Sequence, residues 1–187
     1  MSDRYDPRHL VTIPIGEAVP GFSLVATDGM KYEFEPASPS ADATVVVFVS
    51  NACPYSRAWH DRINQVALDY ESKDMRMVQV NPNDASLFPV DSIDGMRERV
   101  EAGEFATAYL KDETQQVAHN WGARVTPHVF IVDRDGRLRY SGNPDADHDD
   151  PSQNAAWMRT ALDELLAGRE LSRTTSELHG CTVKWLP

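Results

Sequence analysis

An α/β fold, with a central mixed β-sheet flanked by helices on both faces and an N-terminal β-hairpin on one edge, follows from three features of the sequence. The first is a continuous β-branched run, "TVVVFVS" at residues 44–50, followed at once by helical periodicity. The second is a pair of alternating stretches that turn at Asp28-Gly29 and at Asp135-Gly136. The third is the succession itself: strand, helix, strand, then helix, hairpin and helix, which requires a sheet covered on two sides.

Each element has a local reason. "FSLVATDGMKYEFE" alternates apolar and polar residues around Asp28-Gly29, a hairpin signal, and "EPASPSADA" after it is a Pro/Ser/Ala loop. The run at 44–50 is too uniformly apolar for an edge, so it predicts a central buried strand. Beyond Cys53, the residues Trp59, Ile63, Val66, Ala67 and Tyr70 share one helical face. "MRMVQV" (75–80) reads as the next strand and "NPNDAS" as a loop. "DSIDGMRERVEAG" reads as a helix whose charges face water. In "DETQQVAHNWG", Asp112 and Gln115 fit a capping box and Gly122 a helix stop. "HVFIVDRDGRLRYSG" is the second hairpin. "PSQNAAWMRTALDELLAG" is an amphipathic helix from Pro151 to Gly168. Residues 172–187 form a tail with one short strand-like piece, packed on a single domain that spans 1–187. Trp59, Trp121 and Trp157 read as core residues, and Trp185 as an anchor for the tail.

The bulk properties narrow the function. The 187 residues carry a net charge of −11, with 29 acidic side chains against 18 basic ones. Lysine occurs only at Lys31, Lys73, Lys111 and Lys184. A surface so acidic argues against nucleic acid and anionic membranes as partners, and suits solubility in strong salt, as in halophiles. The N-terminal stretch "MSDRYDPRHLVTIPIG" lacks the profile of a signal peptide, and no apolar run is long enough to span a membrane. Two cysteines are too few for a disulfide scaffold, so a cytoplasmic protein is expected.

The chemistry centres on "SNACPYSRAWH" (50–60), where Cys53 lies between the buried strand and the helix. A thiol in a first helical turn meets unpaired N–H groups and the positive end of the helix dipole, which favour the thiolate. Pro54 suits that turn because its missing N–H has no intrahelical partner to lose. The Ser50 hydroxyl is placed to bond a thiolate or a reacting oxygen. Where a paired-thiol motif has its second cysteine this chain has Ser56, which cannot resolve a mixed disulfide.

These residues resemble the thioredoxin-fold redoxin superfamily. "IGEAVPGFSLVATDG" is similar to the redoxin opening, and "VVFVSNACPYSRAW" to its active-site strand and helix start. "VTPHVFIVDRDGRLRYSG" resembles the thioredoxin segment in which a cis-proline lies against the active cysteine. "NACPYS", "NPNDAS", "DETQQVAHNWGARVTPHVFIVD" and "GCTVKW" resemble the peroxiredoxin-like, AhpC/TSA-like branch of thioredoxin family proteins. The resemblance implies a thioredoxin-like fold and Cys53 as nucleophile. Ser50, Asn51, Pro54, Tyr55, Ser56, Thr126 and Pro127 would support it. It further implies a cis Thr126–Pro127 bond that turns the Thr126 backbone towards Cys53 and leaves its polar groups for an extended substrate strand.

The chain departs from each relative. The position before Thr-Pro, a cysteine in many members of the branch, is Val125, and the peroxiredoxin spacing PxxxTxxC finds Val46, Ser50 and Cys53. Pro127 stands in the region where peroxiredoxins carry an arginine; Arg124 is the nearby candidate for tuning the thiolate. Cys181 is the only internal partner for Cys53. It is either a resolving thiol or a small packing residue beneath the tail, and packing is preferred. The expected activity is thiol–disulfide exchange by a monothiol mechanism, with an external thiol releasing the adduct and no cofactor. The alternatives are an antioxidant peroxidase, reducing hydroperoxides through a sulfenic acid on Cys53, and a non-catalytic peptide-binding module. The substrates are accordingly protein or small-molecule disulfides, or hydroperoxides. Asp145, Asp147 and Asp149 alternate as calcium ligands do. Asp150 and Ala156 occupy the positions that need Gly and Glu, so a solvated acidic loop is expected. His60, His119 and His128 read as packing or surface residues, and no metal site is expected.

Overall fold

The computed structural model describes residues 10–36 and 41–187. Expectations about residues 1–9 and about the 37–40 part of the Pro/Ser/Ala loop lie outside the described residues.

The predicted central strand is β3 (Ala43–Phe48), every residue of which is buried. It pairs in parallel with β4 (Met75–Asn81) on one side and antiparallel with β7 (His128–Asp133) on the other. Because successive side chains point to opposite faces, Val45 and Val47 enter one core while Val46 and Phe48 enter the other. A strand buried on both faces cannot alternate with polar residues, which explains the unbroken apolar run.

The sheet has seven strands in the order β2-β1-β5-β4-β3-β7-β8. The first hairpin, β1 (Phe22–Ala26) and β2 (Lys31–Phe34), forms one edge, and Gly29 takes a φ of 83° in its turn. The second hairpin joins β7 to β8 (Leu138–Gly142) at the other edge. The first hairpin attaches through β5 (Ala108–Lys111), parallel to β4 and antiparallel to β1. No sequence signal announces β5, since four residues are too few to establish a period.

Helices cover both faces, as predicted. On one side lie α1 (Pro54–Asp69) and α4 (Ala156–Leu166), with Met96 of α2 (Ile93–Glu101). Trp59, Ile63 and Val66 of α1, with Tyr70 just after it, are buried there with Met158, Ala161 and Leu162 of α4. Each large apolar side chain so buried contributes about 1.5–3 kcal/mol. The other face holds α3 (Gln116–Trp121), whose Trp121 meets Phe22, Phe34, Phe48 and Phe130 edge-on or tilted at 5.5–6.4 Å between ring centres. A further two-stranded sheet pairs β6 (Val125–Thr126) with β9 (Cys181–Thr182) from the tail.

Five local expectations are corrected. The last helix does not run from Pro151: a 3-10 turn at Pro151–Gln153 is followed by Asn154 and Ala155 with φ of 51° and 52°, and only then by α4. The Asp112–Gln115 pair does not form a capping box. Asp112 accepts from the Ala118 N–H at 2.8 Å, but the Gln115 amide turns away to donate to the carbonyls of Pro82 and Lys184. The loop at 144–151 is not merely solvated. Asp145 is 1 % exposed and accepts from Arg62, also buried, at 2.8 Å, from the Trp59 indole at 2.6 Å and from the Ala155 N–H at 2.8 Å. The charges around α2 do not all face water: Arg99 donates to the Asn51 side-chain Oδ1 at 2.8 Å, and Asp91, just before the helix, is fully buried. Trp157 is only partly buried, under the Arg173 guanidinium.

Candidate active site

Cys53 is the N-cap of α1, with extended backbone angles of −81° and 117°, and Pro54 opens the helix. No acidic residue lies in the first turn to oppose a thiolate. The Cys53 sulfur accepts from the Ser56 N–H at 3.4 Å and donates its proton to the Thr126 carbonyl at 2.9 Å. The Thr126–Pro127 bond is cis, as the resemblance implied. Cys53 is only 2 % exposed.

The loop before the thiol is held by a buried carboxylate. Asp91 Oδ1 accepts from the Asn51 N–H at 2.6 Å and the Asn81 amide at 2.8 Å; its Oδ2 accepts from the Ser50 hydroxyl at 2.8 Å and the Asn83 amide at 3.0 Å. Asn51 extends the network by accepting from Arg99 at 2.8 Å and from the Tyr109 hydroxyl at 3.0 Å. Ser50 is therefore committed to Asp91 and not to the thiol. Ser56 Oγ accepts from the Ser50 N–H at 3.2 Å, tying the loop to the first turn of α1.

Opposing influences act on the thiol. Burial is the largest and disfavours the thiolate. Against it act the Thr126 hydroxyl, then the Ser56 N–H, then the thiol and N–H of Cys181, and together they lower the Cys53 pKa below that of an ordinary thiol. Thr126 Oγ1 is buried with no other hydrogen-bond partner, so it is free to donate to a thiolate. The Thr126 carbonyl, in contrast, can only accept and favours the protonated thiol.

Cys181 reaches the site. In β9 it lies opposite Thr126, whose carbonyl meets the Cys53 thiol, and the two thiols shift each other's acidity. The approach of Cys181 is tertiary in origin, because the tail pairs with β6. The same pairing corrects the expectation that the polar groups of the Thr126 segment are left free for a substrate strand. The Tyr55 ring, next to Pro54, lies 4.5 Å from that of His148. Arg124 is not brought to Cys53; its guanidinium donates to the Thr12 hydroxyl at 2.9 Å.

His128 is buried, its Nδ1 accepting from the Arg124 N–H at 3.3 Å and its Nε2 lying 2.9 Å from the Ser141 hydroxyl. Burial first, and then the Arg124 charge, push its pKa down to about 3, so it stays neutral as a packing residue. His60 lies against Glu104 and Phe105. Asp147, His148 and Asp149 bring ligand atoms within 4.8 Å of one another, but Asp147 already accepts from the Asp149 N–H at 2.9 Å, as an acidic turn does without an ion. Sequence reasoning missed Asp91, Asn81, Asn83 and Tyr109. Their one trace is the density of asparagine in "NPN", since a loop rich in buried amides needs a buried acceptor.

The AhpC/TSA family pattern matches residues 15–141. The chain belongs to the AhpC/TSA family. Family membership supports a thiol redox function. Among solved structures, a hypothetical protein from Sinorhizobium meliloti 1021 is similar at 31 % identity and a TM-score of 0.87, over 95 % of this chain and 97 % of that one. An uncharacterized conserved protein from Geobacillus kaustophilus is 34 % identical with a TM-score of 0.85, over 94 % of each chain. A putative thiol:disulfide interchange protein DsbE from Chlorobium tepidum shares the fold at 19 % identity and a TM-score of 0.64, over 82 % of this chain and 99 % of that one. No curated protein matches the chain. Among the described residues, no helix of this AhpC/TSA member is long and apolar enough to cross a membrane.

Proposed function

We propose that this protein is a cytoplasmic thiol–disulfide oxidoreductase in which the Cys53 thiolate attacks a disulfide sulfur. The observation that carries the reading is the Cys53 sulfur at the start of α1, accepting from the Ser56 N–H with the otherwise unpartnered Thr126 hydroxyl beside it. That setting activates a thiolate and supplies no group specific to a peroxide. A peroxidase needs donors to polarise the oxygen–oxygen bond. Here the Ser50 hydroxyl is spent on Asp91 and Arg124 on Thr12. Against a purely binding role stands the lowered Cys53 pKa, which peptide binding does not need. Ser56, the residue that favoured a binding module, has a structural task in holding Ser50.

The test compares second-order rates of Cys53 modification by a small disulfide and by hydrogen peroxide, with sulfenic acid trapped in the peroxide arm. A faster disulfide reaction that is lost in Cys53→Ser supports the reading. Rapid sulfenic acid formation with a slow disulfide reaction would transfer the protein to the peroxidase class.

A further inference from the structure

We propose that Cys181 is the resolving thiol of the site, and that the enzyme cycles between a Cys53/Cys181 dithiol and an internal disulfide with a low-molecular-weight disulfide as substrate. This rests on the reading of Cys53 as a disulfide-attacking nucleophile and adds its second half. The helix offers no second thiol, because Ser56 occupies that place and its hydroxyl is far too weak an acid to displace sulfur. The tail supplies one. Antiparallel pairing of β9 with β6 sets Cys181 opposite Thr126, the residue whose carbonyl meets the Cys53 thiol. Gly180 permits the close approach: a Cβ there would lie 2.6 Å from the Thr126 carbonyl oxygen. The two thiols are near enough to shift each other's acidity. The strand register and the Cys53–Thr126 hydrogen bond thus bring both cysteines to Thr126, with the Ser56 N–H on the Cys53 sulfur.

The tail is anchored on both sides of Cys181. Before it, Asn143 donates to the His179 carbonyl at 2.9 Å and accepts from the His179 N–H at 2.6 Å. After it, the Lys184 N–H donates to Asn83 at 3.0 Å, the Lys184 carbonyl accepts from Gln115 at 2.7 Å, and the Leu186 N–H donates to Gln115 at 2.7 Å. Asn83 also bonds Ser50 and Asp91, so one side chain joins the tail to the active-site loop. A strand held this firmly fills the edge at which an extended polypeptide would pair with Thr126. Only a compact disulfide avoids that competition.

The order of events follows from the electrostatics. Cys53 is the more acidic thiol, whereas Cys181 is pushed up to about 11, by burial first and then by its hydrogen bond to Cys53 and the negative charge there. The Cys53 thiolate attacks R–S–S–R, forming Cys53–S–S–R and releasing R–S⁻. Its charge is then gone, and with it the part of the Cys181 elevation that Cys53 causes. The Cys181 thiol gives its proton to the released R–S⁻ and attacks the Cys53 sulfur, expelling the second R–S⁻, which takes the other proton. The substrate gains two electrons and leaves as two R–SH, and the protein is left with the Cys53–Cys181 disulfide. An external dithiol restores it by attacking the Cys181 sulfur, the more exposed of the two.

The experiment uses the full chain and an aromatic disulfide that releases a coloured thiolate, 5,5′-dithiobis(2-nitrobenzoate), read by absorbance and intact mass. Wild type is expected to release two equivalents of thiolate, retain no probe mass, and yield a linked Cys53–Cys181 peptide on non-reducing digestion. Cys181→Ser is expected to release one equivalent and keep the probe on Cys53. Wild type that keeps a probe on either cysteine, with no linked peptide, overturns the internal disulfide and leaves the Cys53 chemistry intact. Cys181→Ser that takes no probe on Cys53 overturns the underlying reading of Cys53 as well. Peptide mapping of the wild type decides the proposal even if the variant fails to fold.

Discussion

Replacing Asp91 by asparagine tests how the thiol is positioned without touching it. The carboxylate is fully buried and its four closest partners are neutral donors: the Asn51 N–H, the Ser50 hydroxyl and the amides of Asn81 and Asn83. Asparagine keeps one acceptor oxygen, which can serve the Oδ1 side. Its new NH₂ then faces the Ser50 hydroxyl, which can turn round and accept, and the Asn83 amide, which cannot. One buried donor is orphaned, at about 1–3 kcal/mol, and the remaining bonds lose their charge assistance. Removing a buried charge returns some desolvation energy, but the convergent donors outweigh it. The net expectation is a loss of about 2–4 kcal/mol in the free energy of unfolding. Urea denaturation of Asp91→Asn measures it, with iodoacetamide alkylation of Cys53 against pH as the second readout, on a Cys181→Ser background. Loss of the carboxylate loosens residues 50–52 and so raises the Cys53 pKa. A variant within about 0.5 kcal/mol of wild type and with an unchanged alkylation profile would refute this account of the loop.

Two further outcomes follow from the same geometry. Thr126→Val removes the hydroxyl aimed at the sulfur while keeping the carbonyl and the side-chain shape, so the alkylation profile of Cys53 should move to higher pH; an unmoved or lowered profile would remove Thr126 from the thiolate's support. His128, held down to about 3, gains a proton on unfolding below its ordinary value near 6.5, so its contribution to stability is full above that pH and is lost as pH falls towards 3. Urea midpoints between pH 7.5 and 5 should therefore fall less in His128→Asn than in wild type, and equal slopes would contradict the buried, neutral imidazole.

The parts of the molecule legible in its sequence are those whose cause is local. The run at 44–50 is apolar at every position because both faces of β3 are covered, and Trp59, Ile63 and Val66 recur with the helical period because one face of α1 is buried. The two hairpins announce themselves through Asp-Gly turns, and Cys53 through its place between strand and helix. Other features have no local signature. The four residues of β5 become a strand only because β4 and β1 flank them. Asp145 looks like one of several acidic loop residues until Arg62, 83 positions earlier, meets it. Asp91 resembles any helix-preceding aspartate, and its role depends on Ser50 and Asn83 arriving from separate elements. Cys181, 128 residues beyond Cys53, comes to the thiol through a pairing of only two residues in each strand. Periodicity and turn chemistry record what each residue requires of its near neighbours along the chain. Hydrogen bonds, ion pairs and sulfur contacts between distant segments depend on where the packed sheet places those segments, and no short stretch of sequence carries that information.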